Sequence, residues 1–392
     1  MKHRQPGFNK KWMINLNIFI DCRMLFASGI GRYTKEILKQ IFYFQDDLQF
    51  TLAGEPFIIS SYLEEYPDLK KAVKRIVNFN TPIYSAIEHL YGSLLLQKYI
   101  GNNLVFHFPH YDVPWMLPKN SVVTIHDLIH FRFPNYYNRT KVKLAHFVLE
   151  NALKKACKII VISRSTANDL EKMFPFIELR GKTHLIYNGV SSFFEPQPAH
   201  KVGLFKKIKG LDNYLLFVGN RKPHKNLDRL LKAYKEVKKE FGDLQLVIAG
   251  KIFGQEDELT QLKKKTNLHD IVEIEEVSDQ DLLYLYCGAK ALVLPSLYEG
   301  FGLPLVEAMA CGTPVVASNV ASLPEVVGDA GVYVNPYDVE DITRGIYKIL
   351  SDENLRVYLQ DKCLLRSKLF TWKKTAQETL SVYQEVLLNQ GR

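Results

Sequence analysis

Short runs rich in β-branched residues alternate along the whole chain with stretches whose apolar positions recur at helical spacing. No other feature restricts the fold as strongly. Strands separated by helices pair in parallel through right-handed crossovers, which makes β-α-β units the expected building block. The first half offers strands at 17–21, 48–53, 74–78, 104–108, 121–125, 158–162 and 183–187, with helical patterns at 32–42 and 140–157 among the connections. The second half repeats the rhythm at 214–218, 244–249, 271–275, 291–295, 314–317 and 331–334. At 392 residues the chain exceeds what one hydrophobic core usually organises, so two doubly wound α/β domains are expected. The turn-rich, basic stretch 187–213 reads as the linker between them. The closing stretch "FTWKKTAQETLSVYQEVLLNQ" reads as an amphipathic helix with Thr371 as its N-cap.

Composition removes several classes of function. Hydrophobic residues at 47% and charged residues at 24% describe a globular chain rather than a disordered one. The five cysteines are dispersed with no C-x-x-C pair, which argues against a disulfide framework or zinc knuckle and for a reducing, cytosolic setting. The start resembles an export signal in placing bases before an apolar run. Asn15 and Asn17 interrupt that run, and Asp21 and Arg23 follow it closely, so a buried first strand is expected instead. No run of apolar residues is long enough to span a bilayer. Residues 1–200 hold 25 Lys and Arg against 16 Asp and Glu, whereas residues 201–392 balance at 26 each. The whole excess of +9 therefore sits in the first half. It fits either a solvated basic face or an anionic partner such as a membrane surface or a phosphate-bearing acceptor.

Five stretches carry candidate chemistry. In "SGIGRYTKEIL", Gly29 and Gly31 sit where a helix opens after the first strand, so their backbone could approach a phosphate. Thr34 stands where a dinucleotide fingerprint needs its third glycine, which counts against a nicotinamide enzyme. In "VVTIHDLIHF", His126 and Asp127 end a buried strand, as a core or loop-capping pair or as an imidazole for a substrate hydroxyl. His107, His110 and His130 lack the spacing of a helical metal pair, so no metal site is expected. "LLFVGNRKPHKNLDRLL" places Arg221, Lys222, His224 and Lys225 between a strand end and a helix that Asn226 could cap. Cations there oppose the helix dipole unless an anion such as a diphosphate lies between them. The pair Asp279 and Asp281 resembles a metal-holding motif, but Ser278 ahead of them reads better as a helix cap.

The fifth stretch, "LPSLYEGFGLPLVEAMACGTPVVAS", is the most specific. Gly300 and Gly302 leave the backbone bare, so the amides near Phe301, Gly302 and Leu303 could reach a ligand's oxygens. Pro304 suits the first helical position, and Glu307 then falls in the first helical turn, where the helix dipole alone would favour a carboxylate. Glu299 has no such structural excuse.

Glu299 and Glu307 within this stretch resemble the E-x7-E motif of the retaining glycosyltransferases of family 4. The likeness extends over nearly the whole chain, through "IDCRMLFASGIGRYTKEIL", "TIHDL", "VISRSTANDL", "YNGV", "FVGNRKPHKNL" and "LPEVVGDAGVYVNPYDVEDI". It implies the GT-B architecture, two Rossmann-like parallel-sheet domains facing a cleft. The acceptor-binding domain would occupy 1–190, the nucleotide-sugar-binding domain 191–370, and a final helix, 371–392, would cross back to the first domain. Carried over by position, Glu307 would hold the ribose hydroxyls and Glu299 the transferred sugar. Phe301, Gly302 and Leu303 would meet sugar and phosphate oxygens, Lys225 would bind the diphosphate, and His126 would face the reacting side of the sugar. Gly29 and Gly31 would complete the donor site. Asn220 stands where many members carry arginine, so Arg221 would have to substitute one position later. The resemblance also implies metal-independent transfer with no cofactor beyond the donor. Mannose from a guanine nucleotide is the expected sugar, and a glycan or lipid-linked glycan of a surface polysaccharide is the expected acceptor. The basic segment 138–158 would then rest on the anionic inner face of the membrane.

A sugar-nucleotide epimerase of the same architecture is the main competing expectation. A dehydrogenase lacks its fingerprint, an exported sugar-binding protein lacks its signal, and no nucleic-acid-binding motif is present.

Overall fold

The computed structural model describes residues 16–44, 48–83, 85–100, 104–250 and 270–388. The basic opening stretch of the sequence therefore lies outside the described residues. Two parallel sheets account for the fold. The first has seven strands in the order β3-β2-β1-β4-β5-β6-β7. These are β1 Asn17–Asp21, β2 Gln49–Gly54, β3 Val73–Asn78, β4 Leu104–Phe108, β5 Ser121–Ile125, β6 Lys158–Val161 and β7 Thr183–Leu185. The second has six, in the order β10-β9-β8-β11-β12-β13. They run β8 Tyr214–Val218, β9 Gln245–Ala249, β10 Ile271–Ile274, β11 Ala291–Leu294, β12 Val315–Ser318 and β13 Gly331–Val334. Each expected strand is present to within two residues; the inner strands β5, β11 and β12 are buried along their whole length, as in parallel sheets covered on both faces, whereas the edge strands β3 and β7 are partly exposed.

Contacts divide the chain into two compact units, residues 1–124, 147–160 and 377–392 in one, and 125–146 and 161–376 in the other. The second unit is organised by one apolar core that includes Leu216, Leu292, Val316 and Ile346, each fully buried. The stretch expected as a linker is more structured than its composition suggests. It contains the helix Ala199–Lys209, and Phe194, Phe205 and Leu211 join that core. Gly210 ends the helix with φ of 66°, the left-handed backbone that a glycine adopts without strain.

Thr371 does cap the final helix, its Oγ1 accepting from the amide of Lys374 at 3.2 Å. The helix runs Trp372–Leu388. Residues 377 onward belong to the first unit, where the Tyr383 hydroxyl and His107 Nδ1 lie 2.5 Å apart. Ser278 accepts from the amide of Asp281 at 3.0 Å, the capping role its position implied. Among the described residues no helix is long and apolar enough to cross a membrane.

One cap could not be read from local sequence. The helix Arg164–Met173 is capped by Ser163, and its first amides also meet a distant carboxylate. Glu325 accepts from the amides of Arg164 and Ser165, each at 3.0 Å, and from the Tyr187 hydroxyl at 2.9 Å. A carboxylate on amides at a helix N-terminus gains from both charge-assisted hydrogen bonding and the helix dipole. Replacing Glu325 by alanine is expected to cost about 1–2 kcal/mol of stability, as for loss of a helix cap. The readout is a lowered calorimetric transition, which Glu325→Gln recovers only in part.

Candidate functional site

The second sheet reverses its strand order between β8 and β11. In open parallel sheets ligands collect beyond the carboxyl ends of the strands at such a reversal. The segments leaving β8 and β11 carry the basic cluster and the glycine-rich turn, so topology alone brings the two strongest sequence signals together.

The β8 segment is held against the β11 segment by its backbone. Residues Pro223–Lys225 form a 3-10 turn, and Asn226 follows in the left-handed region at φ 63°. Asn226 stands at the N-cap position of the helix Leu227–Val237 but does not cap it with its side chain, contrary to expectation. Its amide instead donates to the carbonyls of Pro295 at 2.9 Å and Pro336 at 2.7 Å. The Leu297 amide donates to the His224 carbonyl at 2.7 Å.

This strapping seats Lys225 on Glu299. The Lys225 ammonium lies 2.6 Å from Glu299 Oε1, with the two side chains only 10% and 12% exposed. Ser296 donates to the same oxygen at 2.7 Å, and the Ser322 hydroxyl donates to the Glu299 carbonyl at 2.9 Å. Burial pushes the Glu299 carboxyl up, but Lys225 and its hydrogen-bonding neighbours outweigh this and hold it below its ordinary value. Burial, reinforced by the Lys225 charge, pushes His224 down to about 4, so its imidazole is neutral at physiological pH. Burial also raises the Asp127 carboxyl, on which Glu299 and Lys225 act with opposite signs. Neither serine was singled out by sequence. Ser296 lies three residues before the glutamate, a spacing that could have suggested it, whereas nothing local marks Ser322.

The glycine turn differs from expectation in two respects. A methyl group on Gly300 would run into the His126 carbonyl oxygen, so this glycine is required by backbone approach within the unit rather than by a ligand. Gly302 adopts φ of 97° and stands at the N-cap of the helix Leu303–Ala310, which makes Pro304 the second helical residue. Glu307 is therefore past the first turn, and the dipole argument that would excuse it as structural weakens. Its side chain is 4% exposed, and Oε2 accepts from the Tyr286 hydroxyl at 2.9 Å. The Phe301 ring is buried against Tyr187 and Phe370, with centroids 6.0 and 5.6 Å away. That anchors the turn from beneath and leaves its backbone at the start of a helix, where N–H groups have no intrahelical partner.

Other expected residues are placed differently. Arg221 is buried and its Nη1 meets Glu273 Oε2 of β10 at 2.8 Å, so its guanidinium is engaged within the sheet rather than with Glu299. His126 is 7% exposed, and its carbonyl faces Gly300. The neighbouring Leu128 amide donates to the Tyr298 hydroxyl at 3.3 Å, which itself donates to Asp169 at 3.0 Å. The segment after β5 is thus fastened to the residues that flank Glu299. Gly29 and Gly31 lie in the first unit, inside the helix Ser28–Phe44 rather than before it. The Gly31 amide donates to the Ala27 carbonyl at 2.6 Å, and a side chain there would strike the Leu25 carbonyl. Close packing therefore explains Gly31 better than phosphate binding does.

Among the described residues, one group could offer a metal three ligand atoms: Glu88, His89 and Asp112, in the first unit. Glu88 already meets Arg23, and burial, opposed by Arg23 and reinforced by Asp112, pushes its carboxyl up to about 8. At neutral pH a proton balances the charge there.

The two Rossmann-like parallel sheets match the GT-B fold of solved glycosyltransferase structures. The family described as "Glycosyl transferases group 1" matches residues 205–363, and "Glycosyltransferase Family 4" matches residues 63–192. The O-antigen chain mannosyltransferase B of Escherichia coli is 31% identical over 374 residues, covering 91% of this chain and 96% of that one. The serotype-specific mannosyltransferase WbdA of Escherichia coli is 30% identical over 302 residues, 73% of this chain but 36% of the longer protein. The crystal structure of Anabaena HepE with UDP and glucose aligns with a TM-score of 0.72 at 18% identity, covering 93% and 99% of the two chains. The chain belongs to the family 4 glycosyltransferases and is a hexosyltransferase.

Two outcomes test the site's construction. Lys225→Met leaves a buried carboxylate without its cation, which typically costs about 3–5 kcal/mol, and adding Glu299→Gln should restore part of the loss. With Lys225 gone, burial raises Glu299 above its ordinary value. The wild-type pair stabilises at neutral pH and loses that contribution as pH falls through its lowered value. The calorimetric gap between wild type and Lys225→Met should therefore narrow on acidification toward about pH 4. Gly300→Ala should cost about 1–3 kcal/mol through overpacking against His126, with the same readout.

Proposed function

We propose that the protein transfers mannose from GDP-mannose, with retention of anomeric configuration, to a glycan or lipid-linked glycan acceptor of an O-antigen-type surface polysaccharide. The observation that carries this reading is the buried Lys225–Glu299 pair at the strand reversal, in a chain similar over nearly its whole length to an O-antigen chain mannosyltransferase. The bond from the anomeric carbon to the diphosphate oxygen breaks in the transfer, and negative charge builds on the leaving diphosphate. Lys225 is the cation assigned to that charge, and the amides of Phe301, Gly302 and Leu303 at the helix start assist it. No metal is assigned a role, and the donor is a substrate rather than a cofactor.

The pair also explains how binding and chemistry are coupled. Before the donor arrives, Lys225 neutralises Glu299. A diphosphate draws the ammonium toward itself and leaves Glu299 as an ionised acceptor for sugar hydroxyls. Because the carboxyl lies below its ordinary value, it needs no deprotonation step at working pH. Glu307, oriented by Tyr286, takes the ribose hydroxyls. His126 is assigned to the reacting face of the sugar. Arg221 is assigned a supporting electrostatic role rather than direct phosphate contact, since Glu273 holds it. Retention is assigned to front-face attack, in which a donor phosphate oxygen takes the acceptor hydroxyl's proton as the new glycosidic bond forms. The acceptor places the enzyme at the cytoplasmic face of the membrane.

A transfer assay over a panel of nucleotide sugars, with soluble and lipid-linked glycan acceptors, tests the reading. GDP-mannose should give an α-mannoside by NMR. Glu299→Gln should lower kcat by about 10²–10³, the scale of a lost transition-state contact. Lys225→Met should lower kcat and raise KM together. Preference for another donor overturns the sugar, a β product overturns retention, and donor turnover without a glycosylated acceptor favours an epimerase.

A further inference from the structure

The first sheet carries at one end a buried charge cluster that the transfer reaction does not use. That sheet reverses its strand order between β1 and β4. Asp21 is the last residue of β1, Arg23 follows it, and Asp112 lies in the segment after β4. The helix Ala86–Gln97 adds Glu88 and His89. Glu88, His89 and Asp112 each offer one ligand atom, and the three atoms lie within 4.8 Å of one another.

Two of these side chains present lone pairs that meet no donor. His89 Nδ1 lies 3.1 Å from the Val113 carbonyl oxygen, which can only accept, so Nδ1 carries the proton. Nε2 of the neutral ring is then an acceptor. It is buried and receives no hydrogen bond from the described residues. Glu88 is fully buried, and its Oε1 meets Arg23. Its Oε2 likewise receives no donor, and the carboxyl beside it is that of Asp112. Buried acceptors left in this way are costly, and in folded proteins they point to a water, a proton or an ion.

Charge decides among the three. Asp21, Glu88 and Asp112 share one guanidinium, that of Arg23. A water would bring hydrogens to the lone pairs but no charge. A proton on Glu88 leaves two carboxylates around Arg23 and does nothing for the imidazole nitrogen. A dication brings the cluster to neutrality with every carboxyl ionised, and it accepts a lone pair from each of the three side chains. His89 is also held as metal-ligating histidines are, its second nitrogen donating to a backbone carbonyl that fixes tautomer and ring orientation.

We propose that Glu88, His89 and Asp112 form a binding site for one divalent metal ion of the zinc or manganese type. Two carboxylate oxygens and one imidazole nitrogen are a mixed donor set that these ions accept, Zn²⁺ more tightly than Mn²⁺. The ion is structural. It ties the helix Ala86–Gln97 to the segment after β4 and, through Glu88 and Arg23, to the end of β1. The proposal rests on neither the donor nor the acceptor assignment, and it gives the metal no part in the transfer.

The full chain, freed of metal by a chelator and dialysed, is to be titrated with Mn²⁺, followed by loss of the free ion's paramagnetic resonance signal. Mn²⁺ is the first probe because thiols hold it poorly and the chain has five cysteines. The wild type should take up one equivalent saturably, and Zn²⁺ should displace it. The thermal transition should rise by at least about 2 °C at saturating ion. His89→Asn keeps an amide hydrogen for the Val113 carbonyl and removes Nε2, so it should melt as the metal-free wild type does. Its affinity for Mn²⁺ should fall at least about tenfold, since even the outer partners of metal ligands are commonly worth that much. Glu88→Gln, which keeps an oxygen for Arg23, should lose a similar factor. No saturable uptake by the wild type overturns the proposal, as does wild-type affinity in His89→Asn or bound Mn²⁺ that Zn²⁺ cannot displace. Should Glu88→Gln fail to fold, His89→Asn decides alone.

Discussion

A lysine and a glutamate from two different strand ends, 2.6 Å apart and mostly buried, are the contact around which the second unit's functional end is arranged. Burying both charges is costly, and their attraction offsets the cost only when the geometry is held and remaining lone pairs are occupied. The surrounding residues supply those conditions. Asn226 and Leu297 fix the backbone of one segment to the other, Ser296 shares the carboxylate oxygen, and Ser322 holds the glutamate's own carbonyl. His224 is neutral chiefly because it is buried; Lys225 adds to this and Glu299 opposes it.

Much of this was legible before any coordinates, for a physical reason. Parallel strands buried on both faces need uninterrupted apolar runs, and such runs show in one sequence. Strand order then places the segments after β8 and β11 side by side. Glu299 was the sharper signal of the two glutamates because no helix dipole excused it, and Glu307 gains weight now that the helix starts at Leu303. What local sequence could not show were side-chain partners distant in the chain. Arg221 looked like a phosphate ligand because its neighbours are basic, yet it pairs with Glu273 on β10, two strands away from β8. Nothing near Glu325 in sequence marks it as the acceptor for the first amides of the helix Arg164–Met173. Asn226 looked like a cap and is a strap.

The glycines teach a related lesson. A glycine beside a helix start suggests ligand approach, but Gly300 and Gly31 are demanded by carbonyl oxygens of the protein itself. Only Gly302, with its left-handed backbone at the N-cap, is required by the turn. The Gly300 contact also bears on the proposed site. It sets the His126 carbonyl against the turn that follows Glu299, so a histidine whose side chain is only slightly exposed is positioned by its backbone.

The two units also spend their apolar residues differently. In the second unit the helix Val339–Ser351 buries Ile342, Ile346 and Ile349 and shows polar residues outward, the arrangement that stability alone selects. The helix Ala86–Gln97 in the first unit buries Glu88 and Ser93 beside Leu95 and Leu96 and leaves an apolar stripe of Ile87, Leu90 and Leu94 in water. Its polar anchors fix the rotation of the helix: Glu88 meets the Arg23 guanidinium, which also pairs with Asp21, and Ser93 accepts from the Met116 amide. The outward set of the apolar stripe is therefore not a matter of loose packing that a small rotation would correct.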